Sequence, residues 1–277
     1  MRLLGGWVPI PPFPPLAAGP REDRWGYDPD FAAAAQPWLD FMYKRWWRVT
    51  TTGVERLPKD GPALIVANHA GVVPWDASMM AAGIRRHEGP DYRHPRFLVL
   101  DWAFSLPWAS VGIRRFGGVP ASPHNALALL KEGHRVMVFP EGAKGVGKPF
   151  SRRYRLERFG RGGFIELAMK AGAPIVPCAV VGSEEIYPKI GELPLIARLT
   201  GAPYFPITPT FPLLGPFGAI PLPSRWRIEF DEPIDLSGLP PDAADDRAQV
   251  FELAEEVRRR IQEKVFSNLV EREGAFL

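Results

Sequence analysis

The residues best suited to chemistry lie in one stretch, Ala67-Asn68-His69-Ala70-Gly71-Val72-Val73-Pro74-Trp75-Asp76. His69 follows a hydrophobic run, Pro62 to Ala67, that reads as a short buried strand. An imidazole at the end of a core strand faces the crevice where an open sheet presents reactive groups. Asp76 can accept a hydrogen bond from one ring nitrogen, leaving the other free to take a proton. Six residues separate the two. On one straight helix that spacing would hold them about 10 Å apart, so the turn carrying Gly71 and Pro74 must loop out for them to meet. A second polar cluster, Val138-Phe139-Pro140-Glu141-Gly142-Ala143-Lys144-Gly145, closes another apolar run. There Glu141 is suited to hold a hydroxyl and Lys144 a phosphate, and the glycines let backbone approach closely.

The elements that must position these groups alternate along the chain. Strands are predicted at 48–54, 62–67, 96–100, 135–139, 175–181 and 226–230. Helices are predicted at 76–84, 160–171 and 243–266, and from Ser122 as N-cap and Pro123 as first residue to Lys131. Val250, Leu253, Val257, Ile261 and Val265 form one stripe on the last of these, which reads as a structural cover. This alternation specifies an α/β fold with a mostly parallel or mixed central sheet flanked by helices. Ahead of it, Phe31 to Trp47 reads as an amphipathic helix, with Trp38, Phe41, Met42, Arg45 and Trp46 recurring at spacings of three and four. Such a helix can pack on the core or lie among lipid headgroups, and its two faces allow both.

Composition narrows the class. The chain has 277 residues, 46% of them hydrophobic, enough for a sizeable core. A net charge of +3 does not imply nucleic acid, and no nucleic-acid module is present. The single cysteine, Cys178, excludes an internal disulfide and sits in the apolar run Ala173 to Val181, where it reads as a small buried hydrophobe. His87, His94 and His134 stand in polar or loop contexts and read as surface residues. A metal set of His69, Asp76, His87 and Glu88 is possible in composition but has no familiar ligand spacing, so no metal is expected. Nine tryptophans favour a water–membrane boundary. No proline-free apolar run is long enough to span a bilayer, and prolines interrupt the apolar segment Leu3 to Ala18, so it does not read as a signal peptide. Leu199 to Ser224 carries seven prolines and no charge. It cannot be a straight helix, and lipid contact through Phe205, Phe211, Leu213, Leu214 and Phe217 is the expectation.

Taken together and in this order, the motifs resemble those of the lysophosphatidic acid and glycerol-3-phosphate acyltransferase superfamily, the PlsC-type acyltransferases. Asn68-His69 with Asp76 is similar to that family's first motif, Asn-His-x4-Asp. Phe139-Pro140-Glu141-Gly142 is similar to its third, and Ala173-Pro174-Ile175-Val176-Pro177 to its fourth. The resemblance spans roughly residues 45 to 235. It implies transfer of a fatty acyl group from a thioester, acyl-CoA or acyl carrier protein, to a lipid hydroxyl, with 1-acylglycerol-3-phosphate as the nearest acceptor and no further cofactor. His69 and Asp76 would be catalytic. Asn68, Glu141, Gly142 and Lys144 would bind substrate, and Arg114, Arg115 or His124 would stand in for the arginine of the second motif. The organisation expected is a Pro-rich flexible arm at 1–24, an amphipathic, membrane-associating helix at 25–48 and an acyltransferase domain at 49–277 that includes the apolar loop 199–224. The expected location is the cytoplasmic face of a membrane, as a peripheral or monotopic protein.

The chain departs from the family pattern in three ways. Its His–Asp spacing is two residues longer, Lys144 stands where arginine is usual, and the second motif is unclear at Gly117 to Ser122. Lysine binds phosphate without the bidentate fork of arginine, so these changes raise the case for another lysophospholipid or a neutral lipid alcohol as acceptor. Between 144 and 161, Lys144, Lys148, Arg152, Arg153, Arg155, Arg158 and Arg161 face Glu157 alone. That run suits the phosphates of CoA, an acidic carrier protein or anionic headgroups. A protein that only binds lipid or acyl-CoA, and a thioester hydrolase using the same pair, are the competing readings. A serine hydrolase is disfavoured because no Gly-x-Ser-x-Gly occurs.

Overall fold

The computed structural model of the chain describes residues 2–3, 6–7, 21–70, 74–201, 204–240 and 242–276. Most of the predicted flexible arm, the turn at 71–73 and two residues of the apolar loop lie outside the described residues.

Helix α1 (Pro29–Phe41) passes into a π-helical turn, Met42–Trp46. Its N-cap, Asp28, accepts the backbone N–H groups of Asp30 and Phe31. Strand β1 (Thr50–Thr52) and strand β2 (Ala63–Ala67) follow, then α2 (Trp75–Glu88), β3 (Arg96–Val99), α3 (Asp101–Phe104), α4 (Pro107–Arg115) and β4 (Gly118–Pro120). Next come α5 (Pro123–Lys131), β5 (Arg135–Val138), α6 (Gly142–Val146), α7 (Gly163–Ala171) and β6 (Ile175–Val181). The chain ends with α8 (Pro194–Thr200), β7 (Arg227–Phe230) and α9 (Arg247–Glu271).

The seven strands form one sheet in the order β1-β7-β6-β2-β5-β3-β4. The five from β6 to β4 run parallel, β7 is antiparallel to β6, and β1 is parallel to β7. The expected α/β architecture is therefore present, as a mixed sheet. Its two central strands β2 and β6 are apolar at every position because both faces are covered. On β2, Ala63, Ile65 and Ala67 join the core shared with α1, α2, Trp47 and Trp226. Leu64 and Val66 join the core beneath α5, α7 and α9. Leu64, Ile65 and Val66 are fully buried, each contributing about 1.5–3 kcal/mol.

Several predicted boundaries shift for local reasons. The last helix begins at Arg247, where the Asp246 carboxylate accepts the Ala248 and Gln249 N–H groups, and it runs on to Glu271. Its buried stripe is Val250, Ala254, Val257, Ile261 and Val265, with Leu253 only half-buried. Ser122 caps α5 as expected, accepting the Asn125 N–H at 3.1 Å. The predicted amphipathic helix uses two faces. Phe31, Ala32, Ala35 and Leu39 are buried, while Trp38, Phe41 and Trp46 form a half-exposed aromatic row with centroids 5.9 and 6.4 Å apart. Residues 25–48 thus share one core with the rest of the chain.

His94 is not a surface residue. Its Nε2–H donates to the Phe116 carbonyl at 2.8 Å and its Nδ1 accepts from the Tyr92 hydroxyl at 2.8 Å. The ring stacks on Tyr27, and burial holds its pKa down to about 3.

Candidate active site

Three neighbouring parallel strands, β5, β2 and β6, deliver their C-terminal ends to one edge of the sheet. Phe139 to Glu141 follow β5, Asn68 and His69 follow β2, and Gly182 to Glu185 follow β6. Crevices at such strand ends are where α/β sheets hold ligands.

His69 and Asp76 meet across the loop between β2 and α2. Asp76 Oδ2 lies 2.7 Å from His69 Nδ1 and accepts the Ala70 N–H at 2.8 Å. Asp76 is fully buried in the first turn of α2, where the helix dipole favours an anion. A carboxylate can only accept, so His69 Nδ1 carries the proton and Nε2 is the free base. Phe139 lies against the His69 ring at a centroid distance of 4.5 Å, leaving the imidazole 16% exposed. The long spacing therefore still brings the two groups together, although residues 71–73 themselves are outside the described residues.

The structure corrects the expected roles of the flanking motif residues. Glu141 does not face a substrate, because its side chain is fully buried. One oxygen accepts the His69 N–H at 3.1 Å; the other accepts the Glu157 N–H at 2.7 Å and pairs with Lys148 at 3.3 Å. Glu141 therefore fixes the backbone that carries His69. The side chain of Asn68 is likewise engaged within the fold. Its amide donates to the Val180 carbonyl and accepts the Val180 N–H, both at 2.8 Å, tying the end of β2 to β6. Gly142 turns the chain out of the motif at φ +54° and lines the cavity in front of His69. Gly145 permits the close return of α6, since a Cβ there would meet the Glu141 Cβ at 2.5 Å.

The cations are also redistributed. Arg115 is buried against Asp28, its Nη2 at 2.5 Å and its guanidinium over the Phe31 ring. It secures the N-terminal segment. Arg114 is exposed, with its stem packed against Gly26. Lys144 and His124 are exposed and line none of the cavities described here. Glu88, the last member of the possible metal set, pairs with Arg135 at 2.6 Å, and His87 is exposed. No cluster of three or more metal-ligating side chains exists among the described residues.

The basic run divides. Arg152, Arg153, Arg155, Arg158 and Arg161 are exposed, whereas Lys148 is buried between Glu141 and Glu184. Its Nζ lies 2.8 Å from Glu184 Oε1. Burial works against the ammonium, but the two carboxylates outweigh it and leave the lysine pKa above its ordinary value. Glu184 shares that one cation with Glu141, and burial pushes its pKa up to about 7. Sequence reasoning missed Ser183 and Glu184. The available signal was their position just after the apolar run of β6, level with His69 and Glu141.

Two cavities flank this constellation. One, of about 360 Å³, contains His69 and runs between β3, α3 and α7 past Phe139, Trp102, Phe159 and Phe164, with Arg161 among its lining. The other, of about 190 Å³, begins at Ala70 and Lys148 and is roofed by the loop carrying Tyr204, Phe211 and Ala219. No helix among the described residues is long and apolar enough to cross a membrane.

These features can be set beside known proteins. The sequence profile of the family described as Acyltransferase matches residues 48–181, which include both polar clusters. An uncharacterised protein of Mycobacterium tuberculosis is 49% identical over 255 residues, 92% of this chain and 71% of that protein. The human DGAT1/2-independent enzyme synthesizing storage lipids is 25% identical over 227 residues, 82% of this chain and 67% of that enzyme. The crystal structure of the 1-acyl-sn-glycerophosphate acyltransferase PlsC from Thermotoga maritima shares the fold. Its TM-score is 0.55 at 21% identity, covering 87% of this chain and 83% of that one. The strand-end His–Asp pair and the buried glutamate beside it thus stand within the matched segment, and the chain belongs to the Acyltransferase family.

Proposed function

We propose that the chain moves a fatty acyl group from a thioester, acyl-CoA or acyl carrier protein, to a lipid hydroxyl, with His69 as general base. The observation that carries this reading is the His69–Asp76 pair opening directly on an apolar cavity. A hydroxyl is a poor nucleophile at neutral pH. His69 Nε2 takes its proton as the oxygen attacks the thioester carbonyl, while Asp76 holds the tautomer and stabilises the imidazolium. Collapse of the tetrahedral intermediate forms the ester and breaks the C–S bond. The leaving thiolate then takes the proton from the imidazolium. No protein nucleophile is required, because the thioester is already activated. The cavity in front of His69 suits the acyl chain, and Arg161 with the exposed arginines before it suits the phosphates of the donor.

The acceptor expected from the motifs is 1-acylglycerol-3-phosphate. The burial of Arg115 and the exposure of Lys144 weaken that choice and favour a less charged lipid alcohol. The name of the human relative, which refers to storage lipids, points the same way. The protein works on a membrane surface, peripheral or monotopic, at the cytoplasmic face. Leu195, Leu199, Leu213 and Phe217, each at least 70% exposed, lie on one chain segment, and the Trp46 indole binds that segment at the Pro221 carbonyl. Exposed apolar groups of this kind mark lipid contact.

The test is thiol release from palmitoyl-CoA by purified protein in mixed micelles, with and without lipid acceptors, beside His69→Ala. Acceptor-dependent release that disappears in the variant is the expected result. Release that needs no acceptor would replace this reading with a hydrolase.

A further inference from the structure

The second cavity has no role in the chemistry so far. Its inner end meets the catalytic loop at Ala70, and its walls are Ser183, Tyr187, Tyr204, Thr208 and Phe211. Three cations line it, and each already has a partner. Lys148 lies between Glu141 and Glu184. Lys189 donates to the Gly147 carbonyl at 2.7 Å and to Glu192 at 2.5 Å. Arg153, exposed at the rim, lies over the Phe150 ring at 4.3 Å and donates to the Phe150 carbonyl. At the buried end two carboxylates oppose one ammonium, and a phosphate brought there would meet Glu184 without an uncommitted cation. A neutral hydroxyl meets no such penalty.

One polar group in the wall still lacks a partner. Ser183 is 1% exposed, and its hydroxyl makes no hydrogen bond. Such a buried group is destabilising unless something satisfies it. The roof completes the picture. Phe211 and Ala219 face the cavity, while Leu213, Leu214, Phe217 and Ile220 of the same loop are exposed apolar groups. A molecule dissolved in lipid would therefore find this cavity through the loop that touches the lipid.

We infer that this cavity is the acceptor site, and that it takes the hydroxyl end of an uncharged lipid alcohol and excludes a phosphate-bearing one. The inference rests on the acyl-transfer reading above and names its acceptor. The donor then occupies the His69 cavity on the arginine side, and the acceptor arrives from the opposite side of the His–Asp loop.

The experiment compares 1,2-diacylglycerol, hexadecanol and 1-acylglycerol-3-phosphate as acceptors for palmitoyl-CoA, in the native chain, Ala219→Trp and Ser183→Ala. A neutral alcohol should stimulate thiol release about tenfold more than the phosphate-bearing acceptor. Ala219→Trp should raise the alcohol KM about tenfold and leave the palmitoyl-CoA KM unchanged. Ser183→Ala, a smaller change, should raise the same KM by a few-fold. Preference for 1-acylglycerol-3-phosphate, or an alcohol KM indifferent to Ala219→Trp, overturns the assignment while leaving the acyltransferase intact. If no acceptor supports release from palmitoyl-CoA or from palmitoyl-acyl carrier protein, the acyl-transfer reading fails. Calorimetric titration with dodecanol then decides the cavity itself. Saturable binding lost in Ala219→Trp supports it as an alcohol site, and binding equal in both proteins overturns it.

Discussion

Replacing Asp76 by Asn separates the two jobs assigned to this carboxylate. Asp76 Oδ2 accepts from both His69 Nδ1 and the Ala70 N–H. The asparagine carbonyl can take that position, keep both hydrogen bonds and preserve the tautomer. What disappears is the negative charge beside the imidazolium formed during catalysis. With the charge centres about 4 Å apart and an effective dielectric near 20, that interaction is worth about 4 kcal/mol, or about a thousandfold in rate. Asp76→Asn should therefore lower kcat about a thousandfold with little change in the KM of palmitoyl-CoA. Asp76→Ala should lose more, because the ring also loses its orientation. The assay is thiol release under saturating donor and acceptor, with thermal unfolding to verify the fold. A loss below tenfold in Asp76→Asn, or one confined to KM, would refute the role given to the charge.

The other expectations concern the scaffold and the surface. Lys148→Met leaves Glu141 and Glu184 buried without their shared cation. It should destabilise the fold by about 3–5 kcal/mol and lower Tm by about 10 °C. Between pH 4.5 and 6.5 two groups oppose one another. His94 is neutral in the folded state, so stability falls as pH drops from 6.5 towards 3; Glu184 has a raised pKa, so stability falls as pH climbs from 4.5 towards 7. Glu184→Gln should unmask the His94 slope, at most about 1.4 kcal/mol per pH unit, and urea denaturation series showing the native slope would contradict it. Serine at Leu213, Leu214 and Phe217 should abolish co-sedimentation with lipid vesicles, each side chain giving up about 1.5–3 kcal/mol of burial.

The legible parts of the fold were those whose local pattern has one solution. β2 and β6 are covered on both faces and so read as unbroken apolar runs. The buried stripe of α9 repeats every three or four residues. Shorter pieces were harder. β4 is an edge strand of Gly118, Val119 and Pro120, and nothing in its composition signals a strand. His69 and Asp76 were legible because their types and a strand end suffice to suggest a base. The neighbours were not, because sequence reports a charge without its burial. Lys148 looked like one more cation in a basic run, yet it is enclosed by carboxylates from two different strand ends. Arg115 looked like a phosphate ligand, yet Asp28, 87 residues away, holds it. Glu141 was expected to hold a hydroxyl; its partners in the fold are the His69 and Glu157 N–H groups and Lys148, which only the folded sheet brings together.

On the proposed mechanism, a base that activates a lipid hydroxyl would activate water equally well, so the site would have to keep water from the thioester. Phe139 is placed to do this. Its ring covers one side of the imidazole at 4.5 Å and lines the same cavity as His69. Such aromatic contacts are worth about 0.5–1.5 kcal/mol, and removing the ring also opens a path to solvent. Phe139→Ala should therefore lower the ratio of ester formed to free fatty acid released, by up to about tenfold. Resolving the two products from radiolabelled palmitoyl-CoA measures that ratio directly. If both products fall together and the ratio holds, Phe139 only orients the imidazole, and exclusion of water must come from the bound acceptor itself.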